Sequence, residues 1–380
     1  MSEKSFKIIA LFVVFSVLMS LLAACGGATP SPVPASEKAK TEGSEAQQAP
    51  TIEETKPEGA QSQEQVPATE NGKAYTIGLC SFQQGNDWNI QVAEGAKARI
   101  AELGWKVIHT NAEGNTDNQI AALEGFLTQK VDGVIVGGGS GPALEPAIKK
   151  LIQAGIPVVT IDLTIPDAVT NIFPDNYMST ELLAVFAVNK LQARPGKYAH
   201  VTIPGLGWKT VDIRDFIADK IFEIEGWTNV GIIDSGLQDA VNQTMTGVRS
   251  TLLANPDLDM IYSSWGMPAV GAARAIREAD KQGKVFVVAT DADRIVLAEM
   301  AKDDSPIAAV IGQKPLEMGR MAVDYLNKAF AGEKNIPKIT FAPFVFVTKE
   351  PQLLPPGPEA MDPKKAWEVL YPGIEFGKTE

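Results

Sequence analysis

From Ala74 onward, short β-rich runs alternate with stretches whose apolar residues fall at helical spacing, and the alternation repeats about every 28 residues. Tyr75–Cys80, Lys106–His109, Gly133–Val136 and Pro157–Ile161 are expected as strands. Asp87–Leu103, Thr116–Gln129 and Pro142–Ala154 are the helices expected between them. In the first of these, Ala93, Ala96, Ile100 and Leu103 share one face before Gly104 stops the helix. Such a beat implies parallel strands, right-handed crossovers and helices on both faces of the sheet. The near-continuous apolar strands fit burial on both sides.

The beat resumes after Asp175-Asn176. Helices are expected at Tyr177–Leu191, Thr210–Glu223, Val241–Ala254, Pro268–Ala279, Asp293–Met300 and Lys314–Phe330. Strands are expected at Tyr198–Ile203, Gly231–Ile233, Met260–Ser263, Val285–Thr290, Ile307–Ile311 and Phe344–Thr348. Roughly ten α/β units exceed the usual capacity of one sheet. The expected fold class is therefore α/β, with two doubly wound parallel-sheet, Rossmann-like lobes. The stretch after Glu350, with Pro-Pro-Gly-Pro at 355–358, reads as an irregular C-terminal extension.

The first 25 residues follow a different logic. Lys4 and Lys7 precede an apolar run from Ile8 to Leu21, which closes on Leu22-Ala-Ala-Cys25. A basic start, an apolar segment and small residues before a cleavage point form a signal-peptide pattern. The tetrapeptide resembles a bacterial lipobox, in which Cys25 is acylated and becomes the new N-terminus. The alternative, a transmembrane helix, needs ~20 apolar residues, more than this run supplies. Residues 26–73 mix Pro, Glu, Gln, Ser, Thr and Gly with few large apolar side chains, a composition that favours a disordered linker. Such a coil has its ends roughly 35 to 40 Å apart.

A net charge of -12 over 380 residues argues against nucleic acid as a partner and against adhesion to anionic lipid without an anchor. With Cys25 assigned to lipid, Cys80 has no disulfide partner and reads as a buried strand residue. His109 and His200 sit in or beside apolar runs with no cysteine or histidine cluster nearby, so neither a metal site nor a cofactor is expected.

In open α/β sheets, ligands bind beyond the carboxyl ends of the strands. Those positions hold the run Ser81 to Trp88, including Asn86, then Gly137 to Gly141, Asp162, Gly205-Leu-Gly-Trp208, Asp234, Trp265, Asp291 and Gln313. The set combines carboxylates, amides and tryptophans. A Trp face suits the C–H face of a sugar ring, while carboxylates and amides pair with hydroxyls. Each Trp has core packing as its alternative, and Asp162 and Asp291 have helix-cap or turn roles as theirs. There is no Gly-x-Ser-x-Gly elbow, no Ser/His/Asp arrangement, and no Gly-Lys-Ser/Thr after the glycine run. The two acids fall in separate halves, which disfavours a glycosidase pair. The chain reads as a binding protein and not an enzyme.

The order of elements and the strand-end residues resemble the periplasmic sugar-binding protein family of the ribose/galactose type, which shares its fold with LacI-type regulators. The resemblance runs from about Ala74 to Glu350. It rests on Glu94-Gly-Ala-Lys, Glu102-Leu-Gly-Trp, Val131-Asp-Gly-Val-Ile-Val, Pro146-Ala-Ile-Lys-Lys-Leu-Ile-Gln-Ala-Gly-Ile-Pro-Val-Val-Thr-Ile-Asp162, Pro174-Asp-Asn176, Ala289-Thr-Asp291 and Ile311-Gly-Gln313. It implies an N-terminal lobe of residues 74–174 and 314–344, and a C-terminal lobe of 175–313 and 345–380. It also implies a hinge-closing cleft in which Trp88 and Trp265 stack on the ligand ring. Asn86, Asp162, Arg214, Asp291 and Gln313 are implied as its hydrogen-bonding partners. The implied ligand is a monosaccharide, polyol or related polyhydroxylated molecule, delivered to the permease of an ABC importer by a lipid-anchored monomer. A sensory receptor for a furanose-like signal, nucleoside or polyol is the alternative. Leu163 stands where many ribose- and galactose-type members have Arg, and Trp265-Gly266 where many have Asn-Asp. Fewer polar partners and an added aromatic face point away from ribose or galactose itself.

Overall fold

The computed structural model describes residues 73–205, 207–355 and 358–379. The expected leader, Cys25 and the expected linker as far as residue 72 lie outside the described residues. Two sheets organise the chain. The first contains β1 (Thr76–Ser81), β2 (Lys106–Asn111), β3 (Gly133–Gly137), β4 (Val158–Ile161), β5 (Asn171–Pro174) and β11 (Ile339–Ala342), in the order β11-β5-β4-β3-β1-β2. The second contains β6 (Lys197–Thr202), β7 (Thr228–Asp234), β8 (Met260–Ser263), β9 (Phe286–Thr290), β10 (Ile307–Gln313), β12 (Phe344–Thr348) and β13 (Ala360–Met361). Its order is β13-β12-β10-β9-β8-β6-β7, and only the β10–β12 pairing is antiparallel.

Leaving aside β13, the two orders correspond strand for strand, so β4 in the first sheet is the counterpart of β9 in the second. Strands β3, β4, β8 and β9 are buried along their whole length, as expected for strands covered on both faces. The edge strands β2 and β7 are mostly exposed or half-buried, because only one side of each is paired.

The helices follow in chain order: α1 (Asp87–Glu102), α2 (Thr116–Gln129), α3 (Gly141–Gln153), α4 (Asn176–Lys190), α5 (Lys209–Ile224), α6 (Ala240–Ala254), α7 (Gly266–Glu278), α8 (Arg294–Met300), α9 (Pro315–Phe330) and α10 (Pro363–Leu370). None of the described helices is long and apolar enough to cross a membrane. The chain passes between the sheets three times: from β5 into α4, from β10 into α9, and from β11 into β12. Asp175 marks the first passage and caps α4 by accepting from the backbone N–H of Tyr177 and Met178. After the second passage, α9 returns to pack on α1 through Met318, Ala322 and Val323, beside Val92 and Ala96. Two glycines set that approach. A Cβ on Gly95 would stand 1.9 Å from the Leu316 carbonyl oxygen, and one on Gly319 would stand 2.1 Å from the Val92 carbonyl oxygen.

Three features depart from the sequence reading. Asn171–Pro174 and Ile339–Ala342 form an additional parallel pair in the first sheet. Most other element ends shift by one to three residues, as at Gly266, where α7 begins two residues before the expected Pro268. The expected irregular tail instead contains α10, whose Trp367 is 1% exposed and packs with Ala366, Leu370 and Tyr371 into the core of the second lobe. The Trp367 indole N–H donates to the Ile374 carbonyl, and the Tyr371 hydroxyl donates to the Ala292 carbonyl. Proline in this stretch suited an irregular segment, but Pro363 stands at the first helical position, where its missing N–H costs nothing.

Candidate functional site

The carboxyl ends of both sheets open onto one cavity of about 400 Å³. All seven expected ligand-binding residues line it: Asn86, Trp88, Asp162, Arg214, Trp265, Asp291 and Gln313. The eighth position named from sequence, Cys25, lies outside the described residues.

Asp162 follows β4 and Asp291 follows β9, so the two acids occupy corresponding positions in the two sheets. Both adopt left-handed backbone conformations, with φ of 63° and 73°. Non-glycine residues held this way cost of order 1–3 kcal/mol each and persist only where surrounding contacts impose them. Neither acid caps a helix, and the left-handed backbone of each coexists with a place on the cavity wall. Asp162 Oδ2 accepts from Thr210 Oγ1 at 3.2 Å. Its Oδ1 is buried and has no hydrogen-bond partner. Asp291 accepts from the Gln313 amide and stands 3.5 Å from Arg214 Nη1.

Arg214 reaches the cavity from α5 and is 4% exposed. Its Nε donates to Asn176 Oδ1 at 2.7 Å and its Nη1 to the Ser264 carbonyl at 2.9 Å, so the guanidinium is fixed before any ligand arrives. Burial pushes the Asp162 carboxyl up to about 6, against the opposing pull of Arg214 and the Thr210 hydrogen bond. Burial also raises Asp291, with Arg214 and Gln313 again opposing. One cation thus faces two carboxylates, an arrangement whose remaining need is for hydrogen-bond donors.

The amides and tryptophans are anchored at one edge. Asn86 is the N-cap of α1: its Oδ1 accepts from the Asn89 backbone N–H at 3.0 Å and from Asn89 Nδ2 at 2.8 Å. That leaves the Asn86 NH2 as its donor toward the cavity, a narrower role than the sequence reading gave it. Trp88 Nε1 donates to Gln313 Oε1 at 2.7 Å, joining α1 to the end of β10. Trp265 Nε1 donates to Ser235 Oγ at 3.0 Å. With their N–H groups committed, both indoles keep their faces for packing. Phe82 and Trp208 lie in the strand-end runs picked out from the sequence but were not named as ligand-binding residues. They line the cavity from the ends of β1 and β6, with ring centroids 6.0 Å apart and planes at 86°. Phe82 directly follows β1, whereas Trp208 stands six residues beyond β6 as the N-cap of α5.

Beneath Arg214, His200 on β6 is 1% exposed and held between two acids on α5. Its Nδ1 lies 3.2 Å from both Asp219 oxygens and its Nε2 3.1 Å from Asp215 Oδ1. Burial alone would lower its pKa, yet the two carboxylates outweigh that and raise it to about 9. Asp215 also accepts from Thr202 Oγ1 at 2.6 Å and from the Ser264 hydroxyl. The cluster therefore braces the turn of α5 that presents Arg214.

Contacts at the rim join elements of the two sheets. Asp87 on α1 receives Arg294 Nη2 at 2.8 Å and the Arg294 backbone N–H at 3.0 Å. Lys209 Nζ donates to Thr164 Oγ1 at 3.1 Å, and Gln91 Nε2 to the Leu370 carbonyl at 2.9 Å.

Known proteins share this architecture. Residues 77–334 match the family described as periplasmic binding protein domain. The ribose import binding protein RbsB of Bacillus subtilis is 24% identical over 290 residues, covering 74% of this chain and 89% of that protein. The D-ribose/D-allose-binding protein of Pseudomonas aeruginosa is 24% identical over 289 residues, covering 68% and 82%. A crystal structure of an ABC sugar transporter subunit from Rhodobacter sphaeroides 2.4.1 superposes with a TM-score of 0.67 at 27% identity, covering 73% of this chain and 98% of that one. The family match spans more than half of the chain, and the paired sheets, triple crossing and shared cleft accord with it. The chain belongs to the type I periplasmic binding proteins, in the sugar-binding group that provides substrate-binding subunits of ABC transporters.

Proposed function

We propose that this protein captures a monosaccharide or related polyhydroxylated molecule outside the cytoplasm and presents it to the permease of an ABC importer, held to the membrane by lipid on Cys25. The observation that carries the ligand class is the convergence of two carboxylates, Asp162 and Asp291, with the fixed guanidinium of Arg214 on one cavity wall. Carboxylates accept from hydroxyls, and hydrogen bonds to charged groups are worth about 1.5–3 kcal/mol each. Gln313 and the Asn86 NH2 supply further partners, while Trp88 and Trp265 offer faces to a ring. Lobe closure would complete the site and exclude water, strengthening each hydrogen bond. The Leu22-Ala-Ala-Cys25 tetrapeptide supports the anchor, and the linker would give the folded part its reach.

A thermal-unfolding screen against pentoses, hexoses, polyols, furanose signals and nucleosides tests this reading. A ligand at 100 times its Kd adds about 2.7 kcal/mol and raises the melting temperature by a few degrees. Stabilisation by a sugar or polyol is the expected result. Stabilisation confined to non-carbohydrate compounds would overturn the ligand class. Loss of membrane partitioning on Cys25→Ser checks the anchor.

A further inference from the structure

The cavity wall changes character along its length. In the second sheet the order is β10-β9-β8-β6-β7. Gln313 and Asp291 stand at the ends of β10 and β9, whereas Trp265, Trp208 and Leu237 stand after β8, β6 and β7. In the first sheet Asp162 follows β4, Gly138 and Gly139 follow β3 without side chains, and Phe82 follows β1 ahead of the polar Gln83, Asn86 and Asn89. Because the sheets correspond strand for strand, Asp162 and Asp291 lie together at one end, and Phe82 and Trp208 lie together at the other. The edge-to-face contact of Phe82 with Trp208 joins the two sheets there directly.

Neighbouring strands are about 4.8 Å apart, so the steps from β8 through β6 to β7 span roughly 10 Å. That is more than a single sugar ring held at Asp162 and Asp291 would fill. Ring hydroxyls laid against Phe82, Trp208 and Leu237 would gain no hydrogen bond from those side chains, at a cost of about 1–3 kcal/mol each. Leu237 is nevertheless 39% exposed at this end of the cavity. The polar side chains of Gln238 and Asp239 are also exposed, at the mouth beyond it. An apolar group of the ligand is what this wall matches.

We infer that the ligand is amphiphilic: a polyhydroxylated ring bound at the Asp162–Arg214–Asp291 end and bearing an apolar or aromatic substituent that lies between Phe82, Trp208 and Leu237. The inference rests on the sugar-binding reading above and narrows it to substituted sugars such as alkylthio sugars and aryl glycosides.

Calorimetric titration of the full chain with matched pairs tests it: pentoses and hexoses, and the same rings carrying a methylthio or phenyl group. The best substituted ring should bind at least tenfold tighter than its bare parent. Trp208→Ala should cut that ratio below threefold, and Leu237→Asn, a change at an exposed position, should cut it in the same direction. Bare sugars that bind as tightly as their substituted forms would overturn the inference and leave the sugar-binding reading standing. A tighter substituted ring whose advantage survives both substitutions would also overturn it, by placing the substituent elsewhere. Absence of binding by every member of both sets would overturn both.

Discussion

Asp162 carries two opposed costs: a left-handed backbone and a buried carboxyl without a full set of donors. Its folded pKa of about 6 lies above the ordinary 3.8, so the folded apo protein binds more protons than the unfolded chain between those values. This group's contribution to apo stability therefore falls as pH rises from about 4 to about 6 and is level above. Ligand hydroxyls donate better to the ionised form, so affinity for a sugar should drop several-fold between pH 7.5 and pH 5. Calorimetry at the two values checks this, and a flat profile would separate the carboxylate from the ligand. His200 has the opposite sign. Its pKa is raised from 6.5 to about 9, so its stabilisation is full below about 6.5 and lost as pH climbs through 9. The loss is on the order of 2 kcal/mol after allowance for screening at the partly exposed Asp219. Unfolding measured at pH 6.5 and 9 should show it, and exchange of His200 for Gln should remove most of the difference. Trp265→Ala should weaken sugar binding at least tenfold, a loss of about 1.4 kcal/mol; an unchanged Kd would remove this indole from the site.

Packing between elements gives a sharper contrast. Gly95→Ala should lower the melting temperature although alanine favours helices by about 1 kcal/mol over glycine, because its methyl group meets the Leu316 carbonyl across the α1–α9 contact. Gly125→Ala on α2 has only Gln129 Nε2 near, at 3.7 Å, and should raise it. Equal shifts in both variants would mean that α1 and α9 are not in backbone contact. The parallel core strands were legible in the sequence because burial on both faces writes them as unbroken apolar runs. Asn171–Pro174 and Ile339–Ala342 were not, since four residues, a terminal proline in one and an exposed face in the other leave no period to read. The carboxyl-end rule located Asp162, Trp265, Asp291 and Gln313. The Phe82–Trp208 contact was illegible because it depends on how the two sheets face each other. Asn86 was found as an amide, but its capping role follows from where α1 begins.

At the scale of the whole molecule, binding and lobe closure are one equilibrium, and only contacts that differ between open and closed states bias it. Asp87 and Arg294 form a two-point bridge at the rim, with side chains 15% and 16% exposed. Removing it with Arg294→Ala should enlarge the radius of gyration of the apo protein in solution scattering and weaken sugar binding. No change in either quantity would show that the bridge does not bias closure. The most direct test of the account is a calorimetric titration of the best-binding sugar or polyol into the wild type and Asp162→Asn. The account predicts saturable one-to-one binding in the wild type and at least a tenfold higher Kd in the variant. Equal affinities would contradict it, because the ligand would then not be held by the buried carboxylate between the lobes.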